Sequence, residues 1–209
     1  METLGRKARE AARGLAVSTH AQRNLALQLI ADMLEEKLPA LLRANDEDLS
    51  AAHELSDAMK DRLRLNEARV KDIAKAVREI RAMPDPLHRV LWQDVRPNGL
   101  RLQRVAVPLG VLAVIYESRP NVTLDAAAMA LKSGNAVILR GGKEAIRSNT
   151  ALVNLVREAL EEAGLNPDCV QLVQDVSRES ATRLMKLRGY VDLLIPRGGK
   201  ALIQSALEN

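Results

Sequence analysis

The residues best suited to chemistry in this chain form two copies of one tetrapeptide, Arg-Gly-Gly-Lys. The copies consist of Arg140, Gly141, Gly142 and Lys143, and of Arg197, Gly198, Gly199 and Lys200. Glycine lets backbone N–H groups approach an anion closely, and arginine and lysine add full positive charge. Each copy follows an apolar run and precedes a helical pattern, so the positive end of a helix dipole adds to the attraction. The tetrapeptides predict an anion- or nucleotide-binding site.

A glycine pair between a strand and a helix is also an ordinary connection, so a single copy fits a purely structural role equally well. Two copies after neighbouring strands favour ligand binding. Neither copy is a Walker A loop, because no Ser or Thr follows the lysine. Neither has the Gly-x-Gly-x-x-Gly pattern of the usual dinucleotide-binding fold. Residue types alone therefore indicate a ligand class and leave the reaction open.

The first tetrapeptide ends a segment, 107–143, that has the pattern of one β-α-β unit. Residues 111–116 form an unbroken apolar run, typical of a strand buried on both faces of a parallel sheet. A helix is predicted from about 123 to 132, followed by a buried strand at 136–139. Between the first strand and the helix lie four polar or turn-forming residues: Ser118, Arg119, Pro120 and Asn121. Ligands of open parallel sheets bind at the carboxyl ends of the strands, where these residues fall.

The same α/β rhythm continues to the second tetrapeptide. We expect Ser148 to cap a helix that runs to Ala163, and a third strand at 169–173. Ser177 is predicted to open another helix, and a fourth buried strand follows at 191–195. The predicted architecture is α/β, an open parallel sheet of Rossmann-like type.

Residues 1–86 are predicted to be helical. We expect four helices, within 1–17, from a Thr19–Gln22 capping box onward, over about 41–55, and from Asn66 to Met83. Leu25 is predicted to begin the buried stripe of the second helix. Between 87 and 107 the apolar period changes to two around a turn at 96–99, which predicts an antiparallel hairpin leading into the parallel sheet. Such a hairpin either stays on its own domain or pairs with a partner subunit, and the sequence leaves both open.

Composition excludes several classes of protein. Of the 209 residues, 47% are hydrophobic and 28% are charged, as expected of a globular chain. Aromatic residues make up only 1%, which argues against single-stranded nucleic-acid binding because that function uses aromatic rings to stack bases. The net charge of +4 is spread among interspersed positive and negative residues and favours an ordinary solvated surface.

Neither a metal site nor a membrane segment is predicted. Cys169 is the only cysteine, and His20, His53 and His88 show no paired spacing. No apolar run is long enough to span a membrane and no signal peptide precedes the first helix, so we expect a cytoplasmic protein.

Three segments, 107–123, 130–144 and 191–200, closely resemble the γ-glutamyl phosphate reductase family of the aldehyde dehydrogenase superfamily. The resemblance covers essentially the whole chain. It implies that 108–209 is a Rossmann-like NADP-binding core of the aldehyde dehydrogenase type, that 1–86 is the helical start of the same domain, and that 87–107 is the hairpin. A departure from the standard glycine fingerprint is what membership of this superfamily implies.

The resemblance also implies a reaction. In this family NADPH reduces L-glutamyl 5-phosphate to L-glutamate 5-semialdehyde and phosphate, a step in L-proline biosynthesis. A cysteine thiolate displaces the phosphate to form a thioester, which hydride then reduces, so one difficult step becomes two easier ones. The family implies a homo-oligomer for the full-length enzyme and no nucleic-acid or membrane partner.

Family members are about twice as long as this chain and carry the nucleophilic cysteine in a later domain. Cys169 does not match that position, and we interpret it as a small, half-buried structural residue. We therefore expect the cofactor-binding half of the enzyme, ending before the catalytic domain and carrying no catalytic residue of its own.

By resemblance, residues 118–121 match the loop between the nicotinamide and the substrate, and whether Asn121 serves the oxyanion hole stays open. Gly198 and Gly199 match the helix start that receives the pyrophosphate. Arg140 and Lys143 lie where many aldehyde dehydrogenases have a lysine and an acid that contact the ribose. Two cations at these positions favour a 2′-phosphate, and hence NADP.

Two alternatives remain. A non-catalytic nucleotide- or anion-binding module fits a chain without a nucleophile, and an in-frame continuation carrying a cysteine would argue against it. A nucleic-acid adaptor built on the basic segment 6–13 would reveal itself by salt-dependent binding to random oligonucleotides.

Overall fold

A four-stranded parallel sheet forms the centre of the structure, a computed structural model that describes residues 1–209. Its strands are β3 (Val111–Tyr116), β4 (Ala136–Arg140), β5 (Val170–Leu172) and β6 (Leu193–Arg197), in the order β5-β4-β3-β6. The predicted Rossmann-like α/β architecture is confirmed. The expectation of a fourth strand buried on both faces was wrong, because β6 lies at the edge of the sheet and leaves alternate residues exposed.

Every residue of β3 is buried, because helices cover both faces of the sheet. Leu112, Val114 and Tyr116 point into the larger core, which contains residues of α1 (Glu2–Ala16), α2 (His20–Glu36), α5 (Glu67–Ala82), α6 (Asn121–Lys132) and α7 (Ile146–Glu162). Val111, Ala113 and Ile115 point into the smaller core, which contains residues of α1 and α8 (Arg178–Met185). Successive side chains of a strand point to opposite faces, so a strand covered on both sides must be apolar throughout.

The first third of the chain contains five helices where four were predicted. The helix predicted over about 41–55 is α3 (Leu38–Ala51), and the additional helix is the short α4 (Asp57–Leu63), which was not predicted. Both predicted caps are present: Gln22 N–H donates to Thr19 Oγ1 at 3.1 Å, and Arg69 N–H donates to Asn66 Oδ1 at 2.8 Å. Leu25 was assigned to the buried stripe of α2 wrongly and is 48% exposed.

The hairpin is present as β1 (Val90–Val95) and β2 (Arg101–Val105), which pair antiparallel. Gly99 adopts a positive φ of 85° and donates its N–H to Arg96 O at 2.8 Å, which closes the predicted turn. The hairpin forms a separate two-stranded sheet and does not hydrogen-bond to the parallel strands.

No helix of the structure is both long enough and apolar enough to cross a membrane.

Ser148 was predicted to cap α7, and this was wrong. A 3-10 turn, Lys143–Ala145, precedes α7, and Ser148 lies inside the first turn of the helix. Its N–H and Oγ both donate to buried Asp48 Oδ2 of α3, at 2.8 and 2.7 Å. Asn45 Nδ2 also donates to Ser148 Oγ, at 3.1 Å. The carboxylate of Asp48 therefore accepts hydrogen bonds from the first turn of α7, where the helix dipole favours negative charge.

We expect Asp48→Ala to lower the free energy of unfolding by about 2–4 kcal/mol, because it leaves buried donors of Ser148 without an acceptor. The measurement is denaturant unfolding followed by circular dichroism. Glu47→Ala is the matched control: Glu47 contacts exposed Arg147 at 3.3 Å on the surface, and its loss should change stability by less than about 1 kcal/mol. Equal losses for the two variants would contradict a structural role for Asp48.

Cys169 lies deeper than expected, at 1% exposure, in the larger core at the start of β5. Its Sγ is 3.7 Å from Ala11 O, and burial raises the pKa of the thiol to about 12. The thiol is therefore protonated and unreactive near neutral pH. We expect a colorimetric thiol reagent to leave the folded chain unmodified and to react rapidly once guanidinium unfolds it. Rapid reaction of the native chain would show that this part of the core opens readily.

Candidate functional site

The carboxyl end of β3 brings the predicted site residues together. In the sheet, Ile115 is opposite Arg140 of β4, and Tyr116 is opposite Arg197 of β6. The two tetrapeptides therefore lie on either side of the end of β3, and the loop 117–120 leaves the sheet between them. This arrangement follows from the strand order, because β3 is the neighbour of both β4 and β6.

A cavity of about 660 Å³, here called the large cavity, lies at this edge of the sheet. Four predicted residues line it: Ser118, Arg119, Arg140 and Gly142. The helices α8 and α9 (Lys200–Glu208) contribute further walls. Sequence reasoning missed several polar residues that line the same cavity: Glu117, Glu144, Arg178, Thr182 and Ser205.

The other predicted residues lie around the large cavity. Pro120 and Asn121 line an adjacent cleft of about 340 Å³, and Arg197 and Gly198 line a smaller one of about 220 Å³. Gly141, Lys143, Gly199 and Lys200 line none of these three. Lys143 and Lys200 are exposed on the surface nearby.

Arg140 is held by backbone carbonyl groups. Its guanidinium donates to Val176 O at 2.6 Å, to Ser177 O at 2.8 Å and to Gly141 O at 3.1 Å. These bonds fix the connection between β5 and α8. Burial lowers the pKa of Arg140, opposed by Asp175 and Glu144, although arginine stays charged in proteins. Its Nε is buried and has no hydrogen-bond partner.

The glycines after Arg140 are required by close packing. A Cβ on Gly142 would lie 2.8 Å from both Ser118 Oγ and Glu144 Oε2, which are themselves hydrogen-bonded at 2.7 Å. A Cβ on Gly141 would lie 2.3 Å from the side-chain nitrogen of Asn149. A larger residue at Gly142 would displace Ser118 and Glu144 in the wall of the large cavity, and one at Gly141 would displace buried Asn149.

The end of β3 is fixed by a buried polar chain. Tyr116 OH and Thr123 Oγ1 are 2.7 Å apart, and Thr123 Oγ1 donates to Asn149 Oδ1 at 2.8 Å. Burial raises the pKa of Tyr116, against a small opposing effect of its hydrogen bond to Thr123. Tyr116 therefore stays a neutral phenol and positions the loop, and it cannot act as a base near neutral pH.

At the second tetrapeptide a protein carboxylate occupies the start of a helix. Gly199 N–H donates to Glu117 Oε1 at 2.7 Å, and α9 begins at the next residue. Glu117 is therefore placed where an anionic ligand would meet the positive end of the helix dipole. Arg197 Nη1 is 4.0 Å from Asp125. Burial raises the pKa of Asp125, and the charge of Arg197 opposes that shift.

These features define what the site can do chemically. The large cavity offers cationic and hydroxyl groups with hydrogen-bond donors, and Cys169 does not line it. No group of three histidine, cysteine or acidic side chains is placed to hold a metal ion. The lining fits binding of an anion, and the only thiol of the chain lies outside the cavity.

Comparison with known proteins identifies relatives. The model of the aldehyde dehydrogenase family matches residues 1–193. A protein of Carboxydothermus hydrogenoformans named gamma-glutamyl phosphate reductase is 51% identical over 208 residues, which are 99% of this chain and 50% of that protein. A protein of the same name from Sorangium cellulosum is 52% identical over 216 residues, 100% of this chain and 51% of its own length.

Solved structures of proteins with the same name are also similar to this chain. The gamma-glutamyl phosphate reductase of Thermotoga maritima has a TM-score of 0.97 at 39% identity, over 99% of this chain and 50% of that one. The enzyme of the same name from Saccharomyces cerevisiae has a TM-score of 0.90 at 31% identity, over 98% of this chain and 52% of that one. The chain spans about half the length of the curated relatives it matches. On the family match, this chain belongs to the aldehyde dehydrogenase family.

Proposed function

We propose that this chain is the cofactor-binding half of an NADPH-dependent γ-glutamyl phosphate reductase. The reaction is reduction of L-glutamyl 5-phosphate to L-glutamate 5-semialdehyde and phosphate in L-proline biosynthesis. The observation that carries the proposal is the likeness to two solved reductases over nearly the whole chain, with TM-scores of 0.97 and 0.90. The position of the large cavity at the carboxyl ends of β3 and β4 supports it, since open parallel sheets bind nucleotides there.

The residues present fit a nicotinamide dinucleotide. The large cavity has a volume of about 660 Å³, within the usual range for a small-molecule site. Arginines line it, and the buried, unpaired Nε of Arg140 is a donor that a ligand oxygen would satisfy. The cofactor supplies the hydride when it is bound. Residues 118–121 lie between the large cavity and the 340 Å³ cleft beside it, and Arg119 lines both.

Arg140 and Lys143 have different parts in the proposed selection of NADP. Arg140 uses both terminal nitrogens on backbone carbonyls and keeps only Nε free. Lys143 is exposed and makes no side-chain hydrogen bond or ion pair. Lys143 is therefore free to pair with a 2′-phosphate, while Arg140 holds the β5–α8 connection and adds one donor. Gly141, Gly142 and the second tetrapeptide, 197–200, would approach the rest of the dinucleotide.

Glu117 occupies the helix start at which the pyrophosphate is proposed to bind. Its carboxylate hydrogen-bonds Gly199 N–H at the start of α9, where the pyrophosphate is proposed to bind. A carboxylate and a pyrophosphate repel each other, so both do not bind the same helix start at once. Glu117 is exposed, so its side chain is able to turn away when the pyrophosphate arrives.

The protein is proposed to work in the cytoplasm, the compartment of its biosynthetic substrates, and as a homo-oligomer. The hairpin supports an oligomer, because Trp92 and Val95 are 47% and 63% exposed on it and large exposed apolar surfaces mark interfaces. The division into a helical part at 1–86, a hairpin at 87–107 and a core at 108–209 stays a prediction.

The first test concerns turnover. We expect the 209-residue chain alone to show no oxidation of glutamate 5-semialdehyde with NADP⁺ and phosphate, because its only thiol is buried and protonated. A chimera that adds the matching carboxyl-terminal half of the C. hydrogenoformans relative should be active. The assay is NADPH absorbance.

Two different results would contradict this expectation about turnover. Turnover by the chain alone that Cys169→Ser abolishes would make Cys169 the nucleophile. A folded chimera that binds NADPH without turnover would favour the alternative function, a non-catalytic nucleotide-binding module.

The second test concerns cofactor choice. Lys143→Ala should weaken NADPH binding by about tenfold and leave NADH binding nearly unchanged, as expected for loss of one partly exposed charge-assisted contact. Arg140→Ala should act in the same direction and also destabilise the β5–α8 connection. The measurement is fluorescence titration, with Lys75→Ala on the exposed face of α5 as the control. Equal losses for both cofactors would mean that these residues do not read the 2′-phosphate.

A further inference from the structure

A second cleft lies beside the large cavity, between α4 and the start of α6. It has a volume of about 340 Å³ and is here called the arginine cleft, after four of its lining residues: Arg62, Arg64, Arg69 and Arg119. Arg62 and Arg119 also line the large cavity. These two side chains therefore form part of the wall between the two spaces.

The charge in the arginine cleft is only partly neutralised. Arg69 is paired with Asp61 at 2.8 Å and also donates to the carbonyl of Arg64. Arg62, Arg64 and Arg119 make no side-chain hydrogen bond or ion pair, and Asp72 is the one other carboxylate on the lining. The cleft keeps a net positive charge on the side that faces the large cavity.

The start of α6 adds to this positive potential. Pro120 and Asn121, the N-cap and the first residue of the helix, line the cleft. No side chain caps the helix. The N–H groups of Val122 and Thr123 donate to the carbonyls of Arg119 and Pro120 at 3.0 and 3.1 Å, so the start of α6 acts on the cleft through its dipole. A 12-residue helix presents the positive end of its dipole at this point. Two unpaired guanidinium groups, from α4 and from the loop after β3, therefore line the same cleft as a helix start.

We propose that Arg62 and Arg119, together with the start of α6, bind the phosphate group of the substrate and inorganic phosphate as the product. This inference rests on the proposed function and adds the residues that recognise the phosphate. Guanidinium groups bind phosphate oxygens in bidentate geometry and the start of a helix adds the positive end of its dipole, so the combination suits a dianion.

The position of the cleft favours phosphate over the distant carboxylate of the substrate. In an acyl phosphate, one oxygen separates the phosphorus from the carbonyl carbon that is reduced. The phosphate must therefore lie next to the hydride donor. A group that lines both spaces meets that condition, and Arg62 and Arg119 line both.

The test is calorimetric titration of the 209-residue chain with inorganic phosphate, without cofactor. Arg62→Ala and Arg119→Ala should each weaken binding by about tenfold, and Arg119→Lys should retain part of the affinity, because charge remains while bidentate geometry is lost. Both side chains are exposed and unpaired, so the variants should fold as the parent does. Arg43→Ala removes an exposed, unpaired arginine of α3 outside both spaces and should bind phosphate like the parent.

Several results would overturn the inference. They are absence of phosphate binding by a folded chain, equal loss in the Arg43→Ala control, or binding unaffected by both cleft variants. L-glutamate is the second probe, and we expect it to leave phosphate binding unchanged. Competition by L-glutamate that depends on Arg62 and Arg119 would assign the cleft to a carboxylate instead. NADPH titration of the same chain separates the two proposals, because loss of cofactor binding alone would count against the proposed function and leave the phosphate subsite standing.

Discussion

The burial of β3 on both faces is the constraint on which the rest of the structure depends. Six consecutive apolar side chains have to be covered, three on each side of the sheet, and only helices above and below can do this. The N-terminal helices supply much of that cover, so α1, α2 and α5 share cores with the sheet. Because β3 is central, it pairs with β4 on one side and with β6 on the other. That pairing places both tetrapeptides beside a single loop.

Electrostatics at this loop follows from the same geometry. Parallel strands end at one edge and successive helices begin there, so positive helix starts and basic side chains gather on one surface. The protein satisfies part of that potential internally: Glu117 occupies the start of α9, and backbone carbonyls bind Arg140. What remains unsatisfied is the buried Nε of Arg140 and the guanidinium groups of Arg62 and Arg119, which line both spaces. These leftover donors distinguish a ligand site from a merely basic surface.

Two adjoining spaces with different linings lie at this edge of the sheet. The large cavity mixes apolar and polar walls, whereas the arginine cleft is smaller and cationic. The loop 118–121 contributes to both, so a change in its position alters both spaces together. Its fixed geometry depends on the buried contacts of Tyr116, Thr123 and Asn149 behind it. Precise placement of a reacting group requires such support from the residues around it.

The sequence by itself determined the strands, the hairpin turn and the caps at Thr19, Asn66 and Ser177, because each depends on residues within a few positions of one another. It indicated a parallel sheet because an unbroken apolar run is typical of a strand that is buried on both faces. It also placed the tetrapeptides at the carboxyl edge, since apolar runs locate strand ends. Only the tertiary structure decided that Ser148 binds Asp48, a hundred residues away, and that Arg140 is engaged by the chain before α8. Likewise, an exposed glutamate after a strand gives no local sign that it will cap α9. Contacts between distant segments depend on how elements pack, and periodicity within one segment carries no information about its partner.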